Sequence, residues 1–456
     1  MTSVQHKQVR QLLWLYFWLL IFEGALRKWI LPGLSTPLLL VRDPVAIAAL
    51  WIGAPLLRQS RFQSWLQWLS GIAIPSFFLA MVVGHGDLIT AVYGTSILLI
   101  QFPLIFLYAA AFDRDGVLRF AKVLLLISIP MTLLIVAQSN LPDGHILNVA
   151  PGGDQTAAFW GALGRSRPPG TFSFINGVVG FYGLAAAALF ARLYGMNPSP
   201  GRLMLIFSAG VALVVAAPVS ISRGLVFGYA VVVLAVIASL LLTRARLVPL
   251  ISGLLAILLV LLVGSSIPAF RDTSEAFAAR WTMANANEGE GRGVQGVVQR
   301  RVLGGFIAAF ENQDSAPVLG LGIGMGTNIG ARRLGAGSAF LIAEDSWPAI
   351  LGEMGLLVGF MFIAWRLALT LFLLFLSLRA AAHGNRLPLI FLGASFLPLL
   401  SGGLNQPTSI GFIVVSAGLT WAATTIPKQH VFIPIAQVDP FTLHDSVSPA
   451  PSTGQG

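Results

Sequence analysis

Near-continuous apolar blocks, each long enough to cross a bilayer as one helix, follow one another along this chain, and their longest pause lies between Ile267 and Trp347. A bilayer core takes about twenty apolar residues per helix. On that ruler the blocks fall at 12–29, 38–57, 65–83, 88–112, 117–139, 171–193, 203–221, 224–243, 247–267, 347–378, 387–403 and 408–426. They predict an all-α, polytopic integral membrane protein of about 12 transmembrane helices with one large extracytoplasmic loop. Residues 1–267 form an N-terminal bundle of about 9 helices, 268–346 the loop, 347–427 the C-terminal helices, and 428–456 a Pro- and Ser-rich disordered cytoplasmic tail. The block that starts at Trp347 reads as one tilted helix, or as a helix ending near Arg366 with an interfacial piece after it. With 56% hydrophobic and only 10% charged residues, the chain has too little polar surface to cover a soluble globule of its size.

A formal charge of +10 raises the question of nucleic acid, but the basic residues stand singly between apolar spans, which favours topology as their explanation. Lys7, Arg10, Arg58, Arg61, Arg114, Arg119, Lys122, Arg192, Arg202, Arg244, Arg246, Arg379, Arg386 and Lys428 all fall on one side if the N-terminus is cytoplasmic. Both termini are then cytoplasmic. The polar stretch Met1 to Arg10 leads into apolar residues with no small-residue cleavage site before Glu23, so it reads as a retained first span. The absence of cysteine excludes disulfides, thiolate metal sites and a Cys nucleophile.

The remaining cations lie on the other side, where topology gives no reason for them. Arg27, Lys28, Arg42, Arg165, Arg167 and Arg223 sit at outer ends of spans, and the large loop adds Arg271, Arg280, Arg292, Arg300, Arg301, Arg332 and Arg333. Arginine's planar fork suits phosphate oxygens, so an anionic headgroup or a lipid-linked pyrophosphate fits this collection. Snorkelling, or pairing with loop acids, is the plainer reading of each one taken alone. Two segments bring arginines to turns: Arg165-Ser166-Arg167-Pro168-Pro169-Gly170-Thr171 and Ser220-Ile221-Ser222-Arg223-Gly224. A purely structural turn is the rival in both. At the re-entry, Glu344 and Asp345 place two adjacent carboxylates just before Trp347-Pro348, where a helix begins; N-capping is the other explanation of Asp345. The glycine run from Gly320 to Thr327 lacks a strand-turn-helix setting and reads as a flexible loop against the membrane, not a nucleotide site. His85 and His145 lack a second ligand at metal spacing, so no metal or other cofactor is expected.

Taken together, Arg167-Pro168-Pro169-Gly170-Thr171-Phe172, Ser222-Arg223-Gly224, Leu319-Gly320-Leu321-Gly322-Ile323-Gly324 and the re-entry Glu344-Asp345-Ser346-Trp347 through Glu353-Met354-Gly355 give the chain a familial look. It resembles bacterial O-antigen ligases and Wzy-type O-antigen or exopolysaccharide polymerases, over about Arg165 to Gly359. The resemblance implies a glycosyltransferase of the bacterial inner membrane that draws glycan from an undecaprenyl-pyrophosphate-linked donor on the extracytoplasmic face, without a nucleotide sugar. Its partners would be that donor, an acceptor glycan, membrane lipids and other polysaccharide-assembly proteins, with no nucleic acid. Glu344 and Asp345 stand where ligases carry a His-Asn pair, so a carboxylate would replace the usual base. Arg167, Arg223, Arg165, Arg300 and Arg301 would bind the donor pyrophosphate, and Glu353 would support the site. A polymerase is the leading expectation; a ligase acting on another acceptor, a twelve-helix transporter or flippase, and a non-catalytic assembly subunit stay open. The lack of an internal repeat disfavours the transporter.

Overall fold

The computed structural model describes residues 2–153, 160–162, 165–195, 199–245, 253, 262, 264–287, 318–335 and 346–425. Helix α1 (Ser3–Ala25) starts at a capping box, in which the Thr2 hydroxyl accepts from the Gln5 amide and the Gln5 side chain accepts from the Thr2 amide. It runs on through a π-turn at Leu26–Ile30. Helices α2 (Asp43–Leu57), α3 (Ser60–Val82) and α4 (Leu88–Ser96) follow. Between α4 and α5 (Pro103–Ala111) the chain widens into a π-turn at Ile97–Gln101. Pro103 cannot donate the next helical hydrogen bond and its ring crowds the preceding turn, which accounts for the widening. Then come α6 (Arg114–Asn140), a short hairpin of β1 (Trp160–Ala162) and β2 (Arg165–Ser166), α7 (Ile175–Gly195), α8 (Pro200–Val219) and α9 (Arg223–Leu242). The remaining helices are α10 (Pro268–Asn287), α11 (Asn328–Leu334), α12 (Ser346–Ala382), α13 (Leu387–Ser401) and α14 (Pro407–Ala422).

Among the described residues nine helical stretches are long and apolar enough to cross a membrane, as a polytopic membrane protein requires, and α13 and α14 are apolar but shorter. Most of the block at 247–267 lies outside the described residues. Helix α14 is buried almost all round and packs on α5, α7 and α13, so it stands at the middle of the bundle. Around Trp421 cluster Phe62, Phe106 and Phe372, while Trp365 meets Phe102 and Trp65 edge-on. Such edge-to-face pairs add about 0.5–1.5 kcal/mol each beyond their burial.

One expectation changes here. Helix α12 does not end near Arg366; it breaks earlier, at Gly355 (φ 77°, ψ 173°), a region open in practice only to glycine. Arg366 is 1% exposed and caps the far end of α13, donating to the carbonyls of Leu399 (2.8 Å), Gly402 (2.9 Å) and Pro398 (3.1 Å). It therefore serves the orphan carbonyls and negative dipole of a helix C-terminus inside the bundle. The segment after Ile267 opens with the 20-residue helix α10.

Three of the cations near the first span ends, Arg27, Lys28 and Arg42, are structural. Arg42 and Arg27 share the buried carboxylate of Glu23, at 2.9 and 3.4 Å. Arg27 Nη1 also donates to Ser173 Oγ at 2.9 Å, and Lys28 Nζ to the Gly170 carbonyl at 2.6 Å. Arg27 and Lys28 thus pin the turn that follows Arg167, while Arg42 is taken up by Glu23.

Candidate functional site

A cavity of about 460 Å³ opens where α7, α9, α12 and α14 begin and α13 ends. Arg167, Arg223, Arg280, Glu353, Asn176 and Asn405 line it. Among the described residues, three arginines and one carboxylate thus line one cavity at this end of the bundle.

Each arginine arrives by a different device. Arg167 leaves the β1–β2 hairpin into Pro168-Pro169-Gly170, where Gly170 takes φ 61°. The Gly170 amide donates to Gln138 Oε1 (2.7 Å), and Thr171 Oγ1 donates to the Ile21 carbonyl (2.7 Å). Together with Arg27 and Lys28 these bonds fix the turn against α1 and α6. Arg223 opens α9 after a tight turn in which Ile221 holds φ 46°. A β-branched residue in the left-handed region costs on the order of 1–3 kcal/mol, which the surrounding packing must offset. Arg280 comes from α10.

Glu353 sits on the short first part of α12, before the break at Gly355. Its Oε2 accepts from the Gly324 amide at 2.8 Å and its Oε1 from the Gly326 amide at 3.1 Å. The glycine run is laced to the same segment through its backbone: Leu321 N donates to Gly352 O (2.8 Å), Gly322 N to Glu353 O (2.9 Å) and Leu356 N to Val318 O (3.0 Å). The break in α12 leaves carbonyls without helical donors, and the run supplies them. Gly320, Gly322 and Gly324 take φ 81°, 113° and 92°, and along this path the amides of Gly324 and Gly326 turn toward one carboxylate. The run expected to be flexible is therefore a fixed wall of the cavity. A Cβ at position 326 would collide with Glu353 Oε1.

Around this wall, Arg333 makes paired bonds of 2.8 and 2.9 Å to Asp87, and Arg332 donates to Thr36 Oγ1 at 3.1 Å. The Arg333 guanidinium, then the Thr90 hydroxyl and amide, hold the Asp87 carboxyl well below the usual carboxylate range. His85 is tied to its own loop and to the Ile323 carbonyl (3.2 Å). Among the described residues no group of three His, Asp or Glu side chains converges as metal ligands would.

Of the residues singled out from sequence, Arg167, Arg223 and Glu353 come together in this cavity. Arg165 is placed in β2, two positions before Arg167. Glu344, Asp345, Arg300 and Arg301 lie outside the described residues. Ser346, next in the chain after Asp345, lines the cavity and donates to the Ser401 carbonyl at 2.7 Å. In the sequence Arg280 stands only as one loop cation among many and Thr327 only as the end of the glycine run, and nothing marks Asn176 or Asn405. Uncharged polar residues at span ends leave little trace in a hydropathy pattern. The signal for Glu353 was present in the break motif Glu353-Met354-Gly355 and the alternating glycines, but their partnership spans 27 and 29 positions.

Comparison with protein-family models, with curated proteins and with solved structures gives no match for this chain.

Proposed function

We propose that this chain is a membrane glycosyltransferase that moves glycan from an undecaprenyl-pyrophosphate-linked donor to a glycan hydroxyl, as a polymerase of surface polysaccharide. The observation that carries this reading is the meeting of Arg167, Arg223 and Arg280 with Glu353 in one cavity at the end of an apolar bundle. The bundle has about 12 spans across a bacterial inner membrane, both termini cytoplasmic and the cavity on the extracytoplasmic face.

A lipid-linked donor is held by its polyprenyl chain in the membrane, so its pyrophosphate lies at the depth of the span ends, where these arginines are. Guanidinium forks match the phosphate oxygens and stabilise the charge that grows on them as the glycosidic bond breaks. The acceptor hydroxyl attacks the anomeric carbon. A new carbon–oxygen bond forms, the bond from that carbon to the phosphate oxygen breaks, and undecaprenyl pyrophosphate leaves with the bonding electrons. The hydroxyl proton passes to a carboxylate. Glu353 is the carboxylate that faces the cavity, and Glu344 and Asp345, close before Ser346 in the chain, are the alternative bases. Asn176, Asn405 and Thr327 offer the neutral donors and acceptors that sugar hydroxyls need.

The test is purified protein reconstituted with undecaprenyl-pyrophosphate oligosaccharide. Wild type should build a ladder of longer lipid-linked glycans and release undecaprenyl pyrophosphate, whereas a ligase would make single transfers to another acceptor and a flippase would leave the phosphate bond intact. Arg223→Lys keeps the charge and loses the fork, so turnover should fall about 100-fold with accumulation unchanged. Wild-type turnover in an Arg167→Ala, Arg223→Ala, Arg280→Ala triple variant would sink the proposal.

A further inference from the structure

The last carbonyls of α13 are capped by side chains of one other helix, α12. Ser346 Oγ donates to the Ser401 carbonyl at 2.7 Å, Trp347 Nε1 to the Leu400 carbonyl at 3.1 Å, and the Arg366 guanidinium to the carbonyls of Leu399, Pro398 and Gly402. In a straight helix Ser346 and Arg366 would stand about 30 Å apart. They meet at one helix end because the break at Gly355 folds the first part of α12 back on the second; a Cβ on Gly359 would come within 2.9 Å of the Leu351 side chain. A helix C-terminus needs donors, and neutral ones would satisfy it. Arg366 is instead a guanidinium, 1% exposed, whose bonds among the described residues all go to main-chain carbonyls, a costly choice inside an apolar bundle. Its planar fork does what a smaller donor could not: it holds Pro398 and Leu399 in α13 and Gly402 beyond the helix at once.

Gly402 begins the 402–406 linker into α14, and Gly403, Leu404 and Asn405 of that linker line the cavity. Those three residues lie in neither helix nor strand, so the ends of the linker set its path. Arg366 holds one end, and at the other Asn176 Nδ2 donates to Gln406 Oε1 at 3.1 Å. Ser346 and Trp347 belong to the same short part of α12 as Glu353, so the linker and the carboxylate are braced against each other. We propose that Arg366 is a positioning residue for the acceptor: by fixing Gly402 it presents the Asn405 amide to a hydroxyl of the acceptor sugar in the cavity that Glu353 lines. This rests on the transfer reaction proposed above. The arginines reach the cavity from the turn after β2, from α9 and from α10, and their forks suit the pyrophosphate. The linker brings an amide, a neutral donor and acceptor that suits an uncharged sugar hydroxyl, and it is tied to the segment that carries a carboxylate able to take the hydroxyl proton.

The experiment keeps the two substrates apart. An undecaprenyl-pyrophosphate oligosaccharide blocked at its accepting hydroxyl can only donate, and the same oligosaccharide as an alkyl glycoside can only accept. With the full chain reconstituted, Asn405→Ala should raise the acceptor KM about 3- to 10-fold, the share of one neutral hydrogen bond, and leave the donor KM unchanged. Arg366→Gln should shift the same constant. Arg366→Gln and Asn405→Ala together should be no worse than Arg366→Gln alone, because an amide already out of place has nothing further to lose. Arg379→Gln, exposed and farther along α12, should change neither constant. If Arg366→Gln does not accumulate, Trp347→Phe carries the test: it removes the bond to Leu400 and should raise the acceptor KM alone, and an unchanged acceptor KM there overturns the inference. Additive losses in the double variant, or an equal rise of both constants in Arg366→Gln, overturn the inference while the transfer reaction stands. No transfer by wild type overturns both.

Discussion

Replacing Glu353 with glutamine separates what this side chain holds from what it could react with. In the native site both carboxylate oxygens accept, one from the Gly324 amide and one from the Gly326 amide. Glutamine has a single acceptor oxygen; its NH2 group would face the second backbone N–H, donor against donor. The variant therefore loses one charge-assisted bond outright and weakens the other. A hydrogen bond to a charged group contributes about 1.5–3 kcal/mol, and a buried donor left unsatisfied costs a similar amount. Loss at the lower end of that range, about 2 kcal/mol, raises the open population of the glycine run about 30-fold, since each 1.4 kcal/mol is a factor of ten. The rest of the lacing, through Leu321, Gly322 and Leu356, stays, so the bundle should not unfold. Hydrogen exchange of a peptide covering 318–330, read by mass spectrometry on detergent-solubilised protein, should show the amides of Gly324 and Gly326 exchanging about 10- to 100-fold faster in Glu353→Gln, the range set by the loss of one such bond. Unchanged exchange at those two amides would refute the argument that the carboxylate fixes the run. Any loss of transfer in that variant would then belong to chemistry alone.

Three further outcomes are expected. Gly355→Ala should lower stability by about 2 kcal/mol or more, seen as a fall in the melting temperature of purified protein, because φ 77° is closed to alanine and its Cβ would meet the Val318 carbonyl; an unchanged melt would mean that α12 tolerates a different break. Asp87 is held below its ordinary value by Arg333 in the fold, so its contribution is present above its unfolded value near 4 and is lost as pH falls below that toward the depressed value. Exchange of 328–335, corrected for intrinsic rate, should therefore speed up in acid, and Asp87→Asn should remove the pH dependence; a dependence that survives in that variant assigns the effect to another group. Finally, Gly152→Cys should react with an impermeant maleimide in intact spheroplasts while Gln59→Cys should not, and labelling of Gln59→Cys alone would invert the topology.

The sequence by itself determined that this is a helical, polytopic membrane protein and where most of its apolar helices lie. Apolar blocks of bilayer length admit one solution for the backbone, because every peptide group inside a membrane must find its partner within its own helix. It also marked the turns at Arg167 and Arg223, since proline, glycine and an isolated arginine between apolar spans leave a local trace. What it left open was which cations are ligands. Arg42 answers to Glu23 at a separation of 19 positions and Lys28 to Gly170 at 142, so their structural duty is visible only once α1, α2 and the turn after Arg167 are packed together. The same holds for Glu353. Read along the chain it is one carboxylate in an amphipathic turn of helix; the break at Gly355 and the glycine amides that fold back on it make it a wall of the cavity. Helix formation in a membrane is a local matter of backbone satisfaction, whereas a charged side chain's role depends on which distant group ends up beside it, and only the tertiary structure decides that.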